Sequence, residues 1–152
     1  VTDPGSTAAL RVLAPDDHDR LLAMAIAFHD EDHHPLSPGG RRALAELTAG
    51  TRFATGWMIE AGNGPIGYLV VTWSWSIEFG GRDAFIDDFY IEPAHRGRGH
   101  GSTVLEALAR LIEAEGVHAV HLEVEAGNPD AARLYRRHGF AGTDRAILSR
   151  RL

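Results

Sequence analysis

The stretch Ile91-Glu-Pro-Ala-His-Arg-Gly-Arg-Gly-His-Gly-Ser102 constrains this chain more than any other. A β-branched, acid-dotted run from Ala84 to Ile91 precedes it, and a helical run from Ser102 to Glu115 follows it. A strand must end there, the backbone must turn on glycine, and a helix must open. Gly97, Gly99 and Gly101 leave the backbone bare and free to take positive φ. The first N–H groups of the helix lack intrahelical partners, and its dipole favours an anion at that end. Arg96 and Arg98 add charge at the rim, and His100 and Ser102 complete the turn. A pyrophosphate suits such a cradle.

Glycine turns before helices differ in detail. A P-loop ends in Gly-Lys-Ser/Thr, and this chain has no lysine. A dinucleotide fingerprint needs Gly-x-Gly-x-x-Gly directly after the strand. Counted from Gly97 its third glycine falls on Ser102, and counted from Gly99 it falls on Val104. Both fail, although Glu123 stands about 20 residues on, where a ribose-binding acid would be. The pattern that fits is Arg96-x-x-Gly99-x-Gly101, preceded by Ile91-Glu92-Pro93. It resembles the acetyl-CoA-binding turn of the GCN5-related N-acetyltransferase (GNAT) family.

The rest of the chain supplies a setting for this turn. Val1 to Ala8 reads as a loose terminus and Ala9 to Leu13 as a short strand. Pro15-Asp16-Asp17 opens a helix with Leu21, Leu22, Ala25, Ile26 and Phe28 on one side. That helix runs out in His29-Asp30-Glu31-Asp32-His33-His34-Pro35, a dense polar connection. Three histidines among acids suggest a metal site, but Pro35 and the loop composition favour a solvated connection. Ser37-Pro38 caps and starts a second helix, which Gly50 ends. Phe53 to Glu60, Ile66 to Ile77 and Ala84 to Ile91 read as strands joined by glycine turns. The next helix places Val104, Leu105, Leu108, Leu111 and Ile112 on one face. Ala119 to Glu125 alternates as a strand, and Asn128-Pro129-Asp130 starts a last helix that closes at Gly139. Phe140 to Leu152 is expected to form two final strands. The order β-α-α-β-β-β-α-β-α-β-β implies an α/β (α+β) domain with helices packed on a mixed sheet.

Composition narrows the function classes. At 152 residues the chain is read as one domain, 1–152. No apolar run approaches the ~20 residues of a membrane span, and no signal peptide is visible. Cysteine is absent, which suits a cytoplasmic setting and leaves no thiol nucleophile. The net charge of −6 argues against nucleic acid as the main partner and is compatible with a cationic small substrate.

A second motif strengthens the resemblance. Asn128-Pro-Asp-Ala-Ala-Arg-Leu-Tyr135-Arg-Arg-His-Gly139-Phe140 is similar to the GNAT segment Asn-x-x-Ala-x-x-Leu-Tyr-x-x-x-Gly-Phe. The likeness covers Phe53 to Phe140, and the first 50 residues match only in helix count. It implies a mixed, mostly antiparallel sheet of about seven strands with four helices and a V-shaped splay between strands 4 and 5. It implies acetyl-CoA as co-substrate, its pantetheine pairing with Phe89, Tyr90 and Ile91. The pyrophosphate would lie on Gly97 to Ser102, and Asn128 and Tyr135 would reach the cofactor arm. Often the family dimerises through its later strands, so a homodimer is a further expectation.

The chemistry calls for three kinds of group. An alkyl amine has a pKa of about 10, so a carboxylate must take its proton before it attacks. A fixed N–H stabilises the oxyanion. A phenol, Tyr135, protonates the departing thiolate. For the base, Asp87 ranks before Glu123 and Glu123 before Asp88. The stretch Ile86 to Ile91 resembles the matching strand of diamine and polyamine acetyltransferases, where an acid at the Asp87 position is thought to take the proton. Glu123 matches the base of ribosomal-protein alanine acetyltransferases. The family places the first inter-helix connection over the acceptor, so Asp30, Glu31 and Asp32 would attract a cation, with Asp88 nearby. Trp73 and Trp75 share a strand face that would wall a channel or a dimer contact, or pack in the core or at the surface, and Arg133, Arg136 and Arg137 lie on a solvated face or reach a ribose phosphate. The reading is therefore an N-acetyltransferase acting on a small primary amine by direct attack. Its alternatives are a non-catalytic acyl-CoA-binding module and a peptide or protein N-acetyltransferase. A nucleotide-binding enzyme ranks behind them because of the failed third glycine.

Overall fold

The computed structural model describes residues 7–152, so most of the terminus read as loose lies outside the described residues. Its elements follow the expected order as far as the last helix. They are β1 (Ala9–Val12), α1 (His18–Glu31), α2 (Pro38–Ala49), β2 (Ala54–Ala61), β3 (Gly64–Ser76), β4 (Gly81–Ile91), α3 (His100–Ala114), β5 (Ala119–Leu122) and α4 (Pro129–Arg137). Short 3-10 turns at Pro15–Asp17 and Pro93–His95 lead into α1 and the glycine turn. Two caps hold as read. Ser37 Oγ accepts from the Gly40 N–H at 3.0 Å, and Asn128 Oδ1 accepts from the Ala131 N–H at 3.1 Å.

The sheet has five strands in the order β1-β2-β3-β4-β5. The first four are antiparallel, and β4 pairs with β5 in parallel across the α3 crossover. Strand alternation splits the core between the two faces. Trp57, Ile59, Leu69, Val71, Ala84 and Ile86 pack with Val104, Leu105, Leu108 and Ile112 of α3. On the other face Met58, Tyr68, Val70 and Tyr90 pack with Leu21, Met24 and Ala25 of α1 and Leu44 of α2.

The expectation of about seven strands is corrected here. Residues after Phe140 form no strand among the described residues. Ile147 and Leu148 are exposed. Being neighbours, they point to opposite faces in any extended run, so the two cannot lie together on one core. The four residues of β5 also give a partner little ladder to join. Glu123, expected inside that strand, falls just past its end.

One irregularity shapes the site. Val70 pairs with Asp88, but Val71 pairs with Ile86, so Asp87 is the extra residue of a β-bulge. The bulge resets the alternation. Ala84 and Ile86 face α3 before it, and Phe89 and Ile91 face that side after it.

Candidate active site

The glycine turn forms as the chain leaves β4. Gly97 and Gly99 have φ of 72° and 84°, the left-handed region that L side chains resist. Gly99 is the N-cap of α3, and the first ladder bond runs from the Thr103 N–H to the Gly99 carbonyl at 3.2 Å. The N–H groups of His100, Gly101 and Ser102 precede that ladder. The helix thus opens two residues earlier than expected. Gly101 lies inside it, without positive φ, and serves packing: a Cβ there would stand 2.9 Å from Leu134 Cδ2 of α4.

The end of β4 is unpaired on one side. The parallel ladder stops at Ile86 and Leu122, while β4 continues to Ile91. Asp87 is exposed at the bulge. Asp88 turns to the α1 side, where Tyr68 Oη donates to its Oδ2 at 2.8 Å and His29 Nε2 lies 3.7 Å away. Burial raises the Asp88 pKa, and the charge of Asp87 adds to the rise; the bond from Tyr68 and the nearness of His29 oppose it. Phe89 and Tyr90 follow, Phe89 within 6.4 Å of the Tyr135 ring and Tyr90 buried.

The connection after α1 closes over this end. Asp32 is half-buried, and burial and the charges of Glu125 and Glu31 raise its pKa. His34 Nε2 is 3.7 Å from Glu125 Oε1, so the connection meets the loop before α4. Burial pushes the Tyr135 phenol up to about 12, with the charge of Asp32 adding to the effect. Tyr135 therefore holds its proton at any ordinary pH. Sequence reasoning undervalued Asp32 and missed Glu125. Glu125 is remote in sequence from the acids of the first connection, so only packing of the two loops brings it there.

Other expected site residues take up different tasks. Arg96 folds back from the turn: its Nε donates to the Ile91 carbonyl at 2.7 Å, and its guanidinium pairs with Glu31 at 2.8 Å above the Tyr90 ring. Glu31 is thereby engaged at the end of α1. Asp30 is exposed, as are Arg98 and Glu123. Asn128 spends its side-chain oxygen on the α4 cap. Arg133 pairs with Asp130 on the same helix. Trp73 Nε1 donates to Thr55 Oγ1 at 3.1 Å, whereas Trp75 is exposed. Glu123 and Tyr135 share a cleft of about 1180 Å³ along the outer edge of β5 that Asp87 and Asp88 do not line. No group of three or more His, Asp or Glu side chains among the described residues is arranged to hold a metal ion.

The acetyltransferase (GNAT) family model matches residues 21–140, from α1 through the end of the second motif. The chain belongs to the GNAT family. Among its relatives, the uncharacterized N-acetyltransferase YycN of Bacillus subtilis is 34% identical over 86 residues, covering 55% of this chain and 54% of that protein. The thialysine N-epsilon-acetyltransferase of Bos taurus is 31% identical over 74 residues, covering 49% and 43%. The chain spans about half the length of these curated relatives. An integron cassette protein from a Cole Harbour salt-marsh metagenome superposes with a TM-score of 0.80 at 28% identity, over 94% of this chain and 90% of that one. GNAT enzymes are acetyltransferases that use acetyl-CoA. The turn suits the diphosphate of that co-substrate: a Cβ at Gly97 or Gly99 would meet no atom within 4 Å, so an anion can approach the bare backbone. No helix among the described residues is long and apolar enough to cross a membrane.

Proposed function

We propose that this GNAT domain transfers acetyl from acetyl-CoA to a primary amine on a small cationic acceptor. The observation that carries the reading is the gathering of acids round the unpaired end of β4. Asp87 and Asp88 approach from the bulge, Asp32 from the α1–α2 connection and Glu125 from the loop before α4. An ammonium group gains from these charges, and a second cation on the same acceptor gains again. The bovine relative carries a name for an amine acceptor, thialysine, which supports the same class.

Each residue then has a task. Gly97 to Ser102 hold the diphosphate with backbone N–H groups, and Arg98 adds charge at the rim. The backbone of Phe89, Tyr90 and Ile91, left without a β5 partner, holds the pantetheine arm and supplies the N–H for the oxyanion. Asn128 borders that arm. The β4 and β5 ends part there in the V expected of the family. Asp87, exposed at the bulge, takes the acceptor's proton with Asp88 beside it, and Glu123 stands as the competing base from the far side of Tyr135. The amine nitrogen bonds to the acetyl carbon as the carbon–sulfur bond breaks. Tyr135 gives its proton to the sulfur and regains one from the new amide nitrogen. Direct attack is the route because this chain has no cysteine to carry the acetyl group. Arg96 and Glu31 act one step back, holding the end of α1 against β4.

The test is acetyl-CoA-dependent thiol release across diamines, polyamines, aminoglycosides, amino acids and short peptides. Release with cationic amines supports the proposal, and release only with peptides redirects it to a peptide or protein amine. Silence across the panel, with CoA still raising the melting temperature, identifies a binding module instead.

A further inference from the structure

We propose that His29 is a positioning residue that carries the acceptor's proton away from Asp88, an inference that rests on the transferase reading above. His29 lies in the last turn of α1, its Nε2 3.7 Å from Asp88 Oδ2. Its Nδ1 lies 3.3 Å from the His34 carbonyl oxygen. A carbonyl only accepts, so Nδ1 carries the ring proton. Nε2 is then the bare nitrogen, and it is the one that faces the carboxylate. Two lone pairs facing each other repel, so the pair is built to share one proton. Phe28 stands edge-on to the ring at 5.5 Å and fixes its plane.

Exposure sets the direction of transfer. The Asp88 side chain is 15% exposed and that of His29 31%. Asp88 takes a proton readily but has little water to pass it to. His29 touches both the carboxylate and solvent. The charged groups near the ring are Asp88 from β4 and Asp32 from the α1–α2 connection, with Tyr68 of β3 reaching it through Asp88.

The proton count closes. Asp87 takes one proton from the acceptor ammonium and hands it to the adjacent Asp88, which passes it to His29 Nε2. A small ring rotation or one water spans the 3.7 Å. The imidazolium releases that proton to solvent, and both groups are restored. The amine's second proton replaces the one that Tyr135 gives to sulfur. One proton leaves per turnover, as ammonium plus thioester going to amide plus thiol requires.

The test compares wild type with His29→Gln, which cannot be protonated. With the best amine of the panel, kcat falls about 10- to 100-fold near neutrality, while KM for acetyl-CoA is unchanged. The deficit closes towards about pH 10, where the amine is free without help. Imidazole added to His29→Ala restores part of kcat. In the acetyl-CoA-free protein, Asp88→Asn moves the His29 ring resonances in nitrogen-15 NMR, a readout independent of turnover. A His29→Gln rate equal to wild type, a deficit constant with pH, or a His29 spectrum indifferent to Asp88→Asn overturns the proposal. A wild type that releases no thiol with any amine overturns the transferase reading and this inference together.

Discussion

Tyr68 Oη donates a 2.8 Å hydrogen bond to Asp88 Oδ2, joining the buried middle of β3 to the carboxylate at the β4 bulge. Tyr68 is fully buried, and burial and the charge of Asp88 hold its phenol well above the ordinary range. It is therefore a permanent donor. Tyr68→Phe removes a charge-assisted bond and leaves the Asp88 carboxylate short of a partner. The expected cost is about 1.5–3 kcal/mol at neutral pH, read by urea unfolding.

Asp88→Asn has the opposite effect on stability. A carboxyl whose pKa rises on folding binds protons more tightly in the native state, so ionising it costs stability. That cost is absent below the unfolded value and full above the raised native value. Asparagine still accepts from Tyr68 but carries no charge. Asp88→Asn therefore raises the melting temperature at about pH 8, and the gain shrinks as pH falls towards about 4. Amine turnover falls at the same time. A melting temperature unaffected or lowered at about pH 8 contradicts this account.

Tyr135→Phe keeps the packing against Phe89 and Phe140 and removes the hydroxyl proposed to protonate the sulfur. We expect kcat to drop about 100-fold or more with acetyl-CoA affinity preserved, measured by steady-state kinetics and calorimetric titration. Because the phenol is pushed up to about 12, the wild-type rate shows no loss from Tyr135 ionisation below about pH 11.

Gly99 and Gly101 differ in what substitution does to them. Gly99→Ala forces a side chain into φ of 84° and costs about 1–2 kcal/mol, with weaker acetyl-CoA binding. Gly101→Ala gains about 1 kcal/mol of helix propensity and pushes only on the mobile end of Leu134. Its net effect on stability is expected to stay within about 1 kcal/mol. Thermal unfolding of both variants checks the contrast.

Arg96 acts as a clamp between β4 and the end of α1. Its bonds to the Ile91 carbonyl and to Glu31 use separate guanidinium nitrogens, which a lysine ammonium cannot reproduce. Arg96→Lys is expected to behave like Arg96→Ala in thermal unfolding. The pair is partly exposed, so an Arg96/Glu31 double-mutant cycle should give no more than about 1 kcal/mol of coupling.

Local signals carried most of the element order. Ser37 and Asn128 announced helix starts by their own side-chain chemistry, and the glycines after Ile91 announced the turn. The two strands expected over Phe140 to Leu152 do not form, and Ile147 and Leu148 there are exposed. Met24 of α1 was passed over among several apolar helix residues, and only contact with the sheet shows it to be buried. Arg96 read as a rim charge for an anion. A partner 65 residues away in sequence, Glu31, draws it elsewhere.

By itself the sequence determined the family and the glycine turn and named the candidate acids and the candidate phenol, because each rests on residue types at short, fixed spacings. Tertiary structure decided which of them meet. The bulge at Asp87 exists only in the register of β4 against β3, and it sends Asp88 to Tyr68 and His29 while leaving Asp87 in solvent. Asp32 and Glu125 come together only because two loops remote in sequence pack over the same strand end. Charge and hydrogen bonding act through space, and the distances that set them arise only once both faces of the sheet are covered.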